Sequence, residues 1–142
     1  MKHSENQMKL YLPSHSVNEG VARSAVAVFV AQLNPTVEEI SDIKCAVSEA
    51  VTNSIVHGYG YGQGEIYIGV KYFSDRTVKI EIKDKGCGIE DVKLAMTPLF
   101  TTDKSGERSG MGFAVMQTFM DSLEVYSKKG LGVRILMEKK LK

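Results

Sequence analysis

The sequence predicts an α+β sandwich: helices packed on one face of a mixed, mostly antiparallel sheet. Three observations carry this. Residues 65–73 with 77–83, and 123–127 with 133–138, alternate apolar and polar across short turns, the pattern of antiparallel hairpins. Two long stretches of helical periodicity precede the first hairpin. Helices and strands are also segregated along the chain, and the strict βαβ alternation of a dinucleotide-binding Rossmann sheet is absent.

The elements follow in order. Met8-Lys9-Leu10-Tyr11-Leu12 alternates and reads as a strand, stopped by Pro13. Ser16-Val17-Asn18-Glu19 has capping-box spacing, so a helix is expected through Val21 to about Leu33, ended by Asn34-Pro35. Thr36-Val37-Glu38-Glu39 repeats the box, and the helix there is expected from Pro35 to about His57, with Gly58 as its stop. Gly58, Gly60, Gly62 and Gly64 interleave with Tyr59, Tyr61 and Gln63 as a flexible connector. No Lys-Ser/Thr follows these glycines, so they do not form a phosphate loop of the GxxxxGK kind. Ser74-Asp75-Arg76 turns the first hairpin. A short helix is expected over Glu90 to Ala95, a mobile loop over Thr97 to Ser109, and a helix over Gly112 to Met120. The closing hairpin turns at residues 128–132. With no repeat, linker or low-complexity tract, one domain is expected over residues 1–142.

Composition narrows the function classes. The chain has 142 residues, 43% hydrophobic and 25% charged, ordinary for a globular protein. A net charge of +1 gives no basic field for direct nucleic-acid binding. No apolar run approaches the roughly 20 residues of a membrane span, and no apolar signal core follows the N-terminus, so a cytoplasmic protein is expected. Cys45 and Cys87 cannot make a metal site alone and read as free, incidental thiols.

The second helix carries the first candidate chemistry. Ile40, Ile43, Val47 and Val51 form an apolar stripe, while Glu49, Asn53 and His57, each four residues apart, form a polar line on the opposite side. A solvated face would explain the line equally well for an arbitrary helix. Here the flanking Ala50, Thr52, Ser54 and Val56 are small or apolar, where a solvent face usually carries Lys and Glu. Mg²⁺ often takes only one or two protein oxygens, and Asn53 can supply one. Glu49, one turn away, can orient or deprotonate a nucleophile. Asp84-Lys85-Gly86-Cys87-Gly88 then follows a strand: Asp84 can accept from an exocyclic amine, and Gly86 and Gly88 let backbone approach a flat ligand. Ser109-Gly110-Met111-Gly112-Phe113 opens a helix whose amides suit phosphate, with Lys104 and Arg108 just before it. Each glycine cluster alone is also explained as a simple turn or helix entry.

In this order the motifs resemble the Bergerat-type ATP-binding fold shared by gyrase B, Hsp90, histidine kinases and MutL. Residues 29–35, 47–59 and 98–102 are similar to its anti-sigma factor and serine-protein kinase branch, on the sporulation side, with the general-stress anti-sigma-B kinases as the nearest alternative. The resemblance implies ATP and Mg²⁺ as cofactors, a sigma factor and an anti-anti-sigma protein as partners, and a homodimer. It implies Glu49 as general base toward a partner serine and Asn53 as Mg²⁺ ligand. Asp84 would read adenine beside Gly86 and Gly88. The ATP lid would span Thr101 to Ser109, including Thr102 and Arg108, and Gly110, Met111, Gly112 and Phe113 would form the phosphate-side turn. Arg23 would lie on the partner surface. Two departures stand out. Val133 follows Gly132 where the family commonly has Thr, whose hydroxyl supports the adenine site, and the glycine loop over 58–64 differs in length. Two functions compete with the sigma-sequestering kinase: a nucleotide-gated sigma clamp without kinase activity, and a histidine-kinase catalytic domain. The latter would need upstream helices bearing a phospho-acceptor His, and the first strand starts too near the N-terminus to leave room for them.

Overall fold

A computed structural model describes residues 3–96 and 112–142. The described chain runs β1 (Asn6–Pro13), α1 (Asn18–Val30), α2 (Val37–Asn53), β2 (Glu65–Tyr72), β3 (Thr77–Asp84), α3 (Val92–Ala95), α4 (Phe113–Phe119), β4 (Ser122–Lys128) and β5 (Gly132–Lys140). The five strands form one sheet in the order β1-β2-β3-β5-β4. Every described pairing is antiparallel, so the expectation of a mixed sheet gives way to a wholly antiparallel one.

The register explains where the core sits. Residues directly opposite in an antiparallel ladder share a face. One row runs Met8, Val70, Ile80, Met137, Leu123, and the next runs Leu10, Ile68, Ile82, Ile135, Val125. These side chains meet Ala22, Val26 and Val30 of α1 and Ile43, Val47 and Val51 of α2 in one buried cluster. Each fully buried Val or Ile contributes roughly 1.5–3 kcal/mol. The other face of the sheet carries Tyr11, Tyr67, Lys83, Glu81, Arg134 and Tyr126, which is why β2, β3 and β5 alternate so cleanly.

Helix starts differ in how they are held. At α2 both bonds of the capping box form: the Glu39 amide donates to Thr36 Oγ1 at 3.0 Å, and the Thr36 amide donates to Glu39 Oε1 at 2.9 Å. At α1 the expected Ser16 cap does not form. Val17 takes the cap position without a side-chain bond, and Glu19 turns to Arg23 at 3.0 Å instead. A local capping bond loses here to an ion pair one turn along.

The second helix also ends earlier than periodicity suggests. After Asn53 it widens into a π turn over Ser54–Gly58, closed by the Tyr59 amide donating to the Ser54 carbonyl at 2.8 Å. The following glycine segment is tied down and is not the flexible connector its composition suggests. Ser14 Oγ donates to the Gly62 carbonyl at 2.7 Å, and the Ser14 amide to the Gly64 carbonyl at 2.9 Å. The Tyr59 hydroxyl donates to the Glu65 carbonyl at 2.6 Å and accepts from the Lys85 amide at 2.8 Å.

Glu39 does further work at the start of α2. Its Oε2 accepts the Lys142 amide at 2.8 Å, so the C-terminus is anchored on the same carboxylate. The Thr36 amide, with help from Lys142 and against burial, holds this carboxyl below its usual range. Thr36→Ala should destabilise the protein by about 1 kcal/mol in urea unfolding. Because the folded value is lowered, the Glu39 contribution is present above the unfolded value of 4.5 and lost as pH falls through the folded one. The stability gap between wild type and Glu39→Gln should therefore close in acid.

Candidate functional site

The third row of the sheet breaks the apolar pattern. Leu12, Ile66, Asp84, Val133 and Ser127 lie side by side by register. Asp84 ends the series Val78, Ile80, Ile82, Asp84, so the alternation of β3 turns its carboxylate toward the helices, where it is 7% exposed. Two donors meet it: Ser54 Oγ at 2.8 Å on Oδ2 and the Gly86 amide at 2.9 Å on Oδ1. Burial still pushes the carboxyl above its usual range, against the Gly86 amide, the Ser54 hydroxyl and the Val133 amide.

Glycines make this approach possible. A Cβ at Gly58 would come within 3.0 Å of Asp84 Oδ2. A Cβ at Gly86 would strike the Gly58 backbone, and the Cys87 amide bonds the Gly58 carbonyl at 2.8 Å. The end of the π turn and the glycine turn after β3 are thus packed backbone to backbone. Gly88 has φ +75°, a conformation that favours glycine. Cys45 and Cys87 are both free and exposed, and the Cys87 thiol faces the His57 carbonyl at 3.0 Å.

The structure brings together four of the predicted residues it describes, Asn53, Asp84, Gly88 and Phe113. Asn53, Ser54, His57, Asp84, Gly88, Val133 and Phe113 line one narrow void of about 10 Å³. Asn53 is 7% exposed, and neither its Oδ1 nor its Nδ2 finds a hydrogen-bond partner among the described residues. A buried amide left this way is costly, by roughly 1–3 kcal/mol, and implies a partner supplied from outside. Gly112 caps α4 at φ +74°, and a Cβ there would collide with the Glu49 carboxylate. Glu49 is half-buried. It lines a second groove, of about 600 Å³, shared with Arg23, Lys44, Ser48, Val115 and Phe119. Arg23 reaches Glu19 at 3.0 Å and Ser48 Oγ at 3.5 Å. Thr101, Thr102, Lys104, Arg108, Ser109, Gly110 and Met111 lie outside the described residues.

A wider hollow lies elsewhere. About 1160 Å³ of open space crosses the far face of the sheet beside Tyr11, Tyr67, Lys83, Tyr126 and Arg134. Three of its polar side chains already have partners: Lys83 sits 4.8 Å from the Tyr67 ring centroid, Arg134 bonds Glu81, and Tyr126 bonds Glu124. The orphaned Asn53 amide and the raised Asp84 carboxyl are the stronger marks of a site.

Sequence reasoning missed Ser54, Gly58 and Tyr59. A signal for Asp84 facing inward was available in the alternation of β3. None announced the π turn that sets Ser54 over Asp84.

Helices on one side of this antiparallel sheet, with the cleft between them, match a recognised class. The family model of the histidine kinase-like ATPase domain matches residues 12–139. Among solved structures, the RsbU and RsbW domains of a Mycobacterium tuberculosis protein share the fold with a TM-score of 0.71 at 18% identity, over 96% of this chain and 32% of that one. A histidine kinase domain from a blue-light activated histidine kinase of Erythrobacter litoralis gives 0.57 at 17%, over 87% and 61%. Curated relatives are much nearer. The anti-sigma F factor of Clostridium novyi is 56% identical over 140 residues, 98% of this chain and 97% of that one. That of Clostridium botulinum strain Eklund 17B is 57% identical over 137 residues, 96% and 95%. That of a Thermoanaerobacter species is 56% identical over 134 residues, 94% and 93%. The chain belongs to the histidine kinase-like ATPase family and, within it, to the anti-sigma F factors. No helix among the described residues is long and apolar enough to cross a membrane.

The raised Asp84 carboxyl gives a test independent of any ligand. The folded protein holds this proton more tightly than the unfolded chain, so ionised Asp84 costs stability above the folded value, and the cost fades as pH falls toward 3.8. In urea unfolding across pH, wild type should gain on Asp84→Asn as pH is lowered through this window. A constant difference would contradict the assignment.

Proposed function

We propose that this single-domain protein is a cytoplasmic, ATP-dependent anti-sigma factor. In this reading it sequesters a sporulation sigma factor and phosphorylates a serine of its anti-anti-sigma partner. One observation carries the proposal. Glu49 and Asn53, one turn apart on α2, open into two different spaces: Asn53 into the cleft with Asp84, and Glu49 into the groove with Arg23. A nucleotide on one side and a partner protein on the other would meet at this turn of helix. The names of the relatives support the sigma-binding half, and the ATPase family supports the nucleotide half.

The roles follow from the chemistry of each group. Asp84 accepts a hydrogen bond from the adenine amine, held in place by Ser54 and Gly86. Val133 offers only its backbone amide near Asp84 and has no side-chain hydroxyl to add. The residues fit Mg²⁺, because the orphaned Asn53 amide has an oxygen to offer, and the bound ion would neutralise phosphate charge. Glu49 takes the proton of the partner serine as its oxygen attacks the γ-phosphorus and ADP leaves. Thr101, Thr102, Arg108 and Ser109 belong to the ATP lid, and Gly110, Met111, Gly112 and Phe113 to the phosphate-side turn. Arg23 contacts the partner, and the protein acts as a homodimer.

Glu49→Gln should retain ATP binding and lose phosphorylation of the partner serine, by roughly 10²–10⁴-fold in rate. Labelled ATP and the anti-anti-sigma partner measure this, and equal transfer by both proteins would remove Glu49 as base. Asp84→Ala should weaken ATP binding by at least about tenfold in calorimetry, the loss expected when one buried charged hydrogen bond goes.

A further inference from the structure

One partly buried cation belongs to neither the cleft nor the partner groove. Lys139, near the end of β5, keeps only 13% of its side chain exposed, although lysine is rarely buried without a partner. Its Nζ stands 3.3 Å from Asp42 Oδ2 on α2 and donates to the Phe119 carbonyl, the last of α4, at 2.7 Å. α4 has no basic residue in its own last turn. Lys139 therefore supplies, from another element, both a charge at the negative end of that helix and a donor for an orphan carbonyl.

The far end of α4 meets the candidate base. α4 has seven residues and spans about 10 Å at the helical rise. Gly112, at its start, lies so close to Glu49 that a Cβ would collide with the carboxylate. Met116, fully buried midway between these ends, acts as the fulcrum. On α2, Asp42 and Glu49 are seven residues apart, about two turns, and so point in nearly the same direction. One ammonium group thus ties the helix bearing Glu49 to the helix whose cap residue walls Glu49 in.

We propose that Lys139 is a positioning residue, a clamp between α2 and α4 that sets Gly112 against Glu49 and so aims the carboxylate at the incoming serine hydroxyl. This rests on the proposed kinase function. Removing the clamp frees one end of a short rigid helix, and pivoting about the fulcrum moves the other end against Glu49.

The test compares wild type with Lys139→Met, which keeps the stem and loses the charge, and with Lys139→Arg, which can bridge the same two acceptors. Below the melting temperature of each protein, Lys139→Met should transfer phosphate to the partner serine roughly ten- to hundredfold more slowly at saturation. KM for ATP and for the partner should change by less than about threefold. Lys139→Arg should restore most of the rate. A folded Lys139→Met with the wild-type saturating rate, or a loss confined to KM, overturns the clamp. If Lys139→Met fails to fold, Asp42→Ala replaces it, since it removes the α2 acceptor and keeps the Phe119 bond, and an unchanged rate there overturns the clamp equally. The Glu49 carboxyl ¹³C resonance supplies a reading that needs no transfer. It should move in Lys139→Met, and an unmoved resonance refutes the clamp. Absence of phosphoserine with wild type instead counts against the kinase function, leaving the resonance to decide on Lys139.

Discussion

Much of this molecule is organised around one unfavourable act, the burial of the Asp84 carboxylate in a sheet row that is otherwise largely apolar. Ser54 and the Gly86 amide each offer it a hydrogen bond. A hydrogen bond to a charged group contributes about 1.5–3 kcal/mol. Burial nevertheless outweighs these donors, as the raised pKa shows. The fold keeps the group there by surrounding it with closely packed backbone: the π turn after α2 on one side, the glycine turn on the other, and Gly132, where a Cβ would strike the Asp84 carbonyl. Substituting any of these glycines would push on the carboxylate or its frame. Stability is given up locally, as is common at sites that must recognise a ligand.

Asn53 makes the same point with a neutral group. Its amide is buried and unpartnered among the described residues, a few ångströms of helix from an apolar stripe that is fully packed. The helix is held firmly at its start by Thr36, Glu39 and the C-terminus, and by Ile43, Val47 and Val51 through its length. Its last turns are then free to carry groups chosen for something other than packing. Strength at one end and unmet polarity at the other divide α2 into an anchor and a working surface. Lys139 reaches the anchored half through Asp42, and so couples the working half to α4 through the rigid helix itself.

The sheet and the two long helices were legible because their signals are local and periodic. Residues 65–72 and 77–84 alternate because one face is core and the other is water. Thr36 and Glu39 announce a cap that forms as read. Other features depend on competition between distant groups. Ser16 and Glu19 have the same spacing as Thr36 and Glu39, yet Glu19 pairs with Arg23 and the box never closes. The glycines over 58–64 look flexible from composition, but Ser14 and Tyr59, together with the Glu65 and Lys85 backbone, hold them.

The sequence alone determined the fold class, the family and the identity of Glu49, Asn53 and Asp84 as residues worth examining, because motif order and period survive without coordinates. Tertiary structure decided what those residues face. Helical spacing set Glu49, Asn53 and His57 on one line. Only packing against β3 and α4 sends Asn53 into the cleft with Asp84 and Glu49 into the groove with Arg23. The physical reason is that a single helix knows its own angles but not its neighbours. Burial, unmet hydrogen bonds and the approach of Gly112 to Glu49 arise only when separate elements are brought within contact distance.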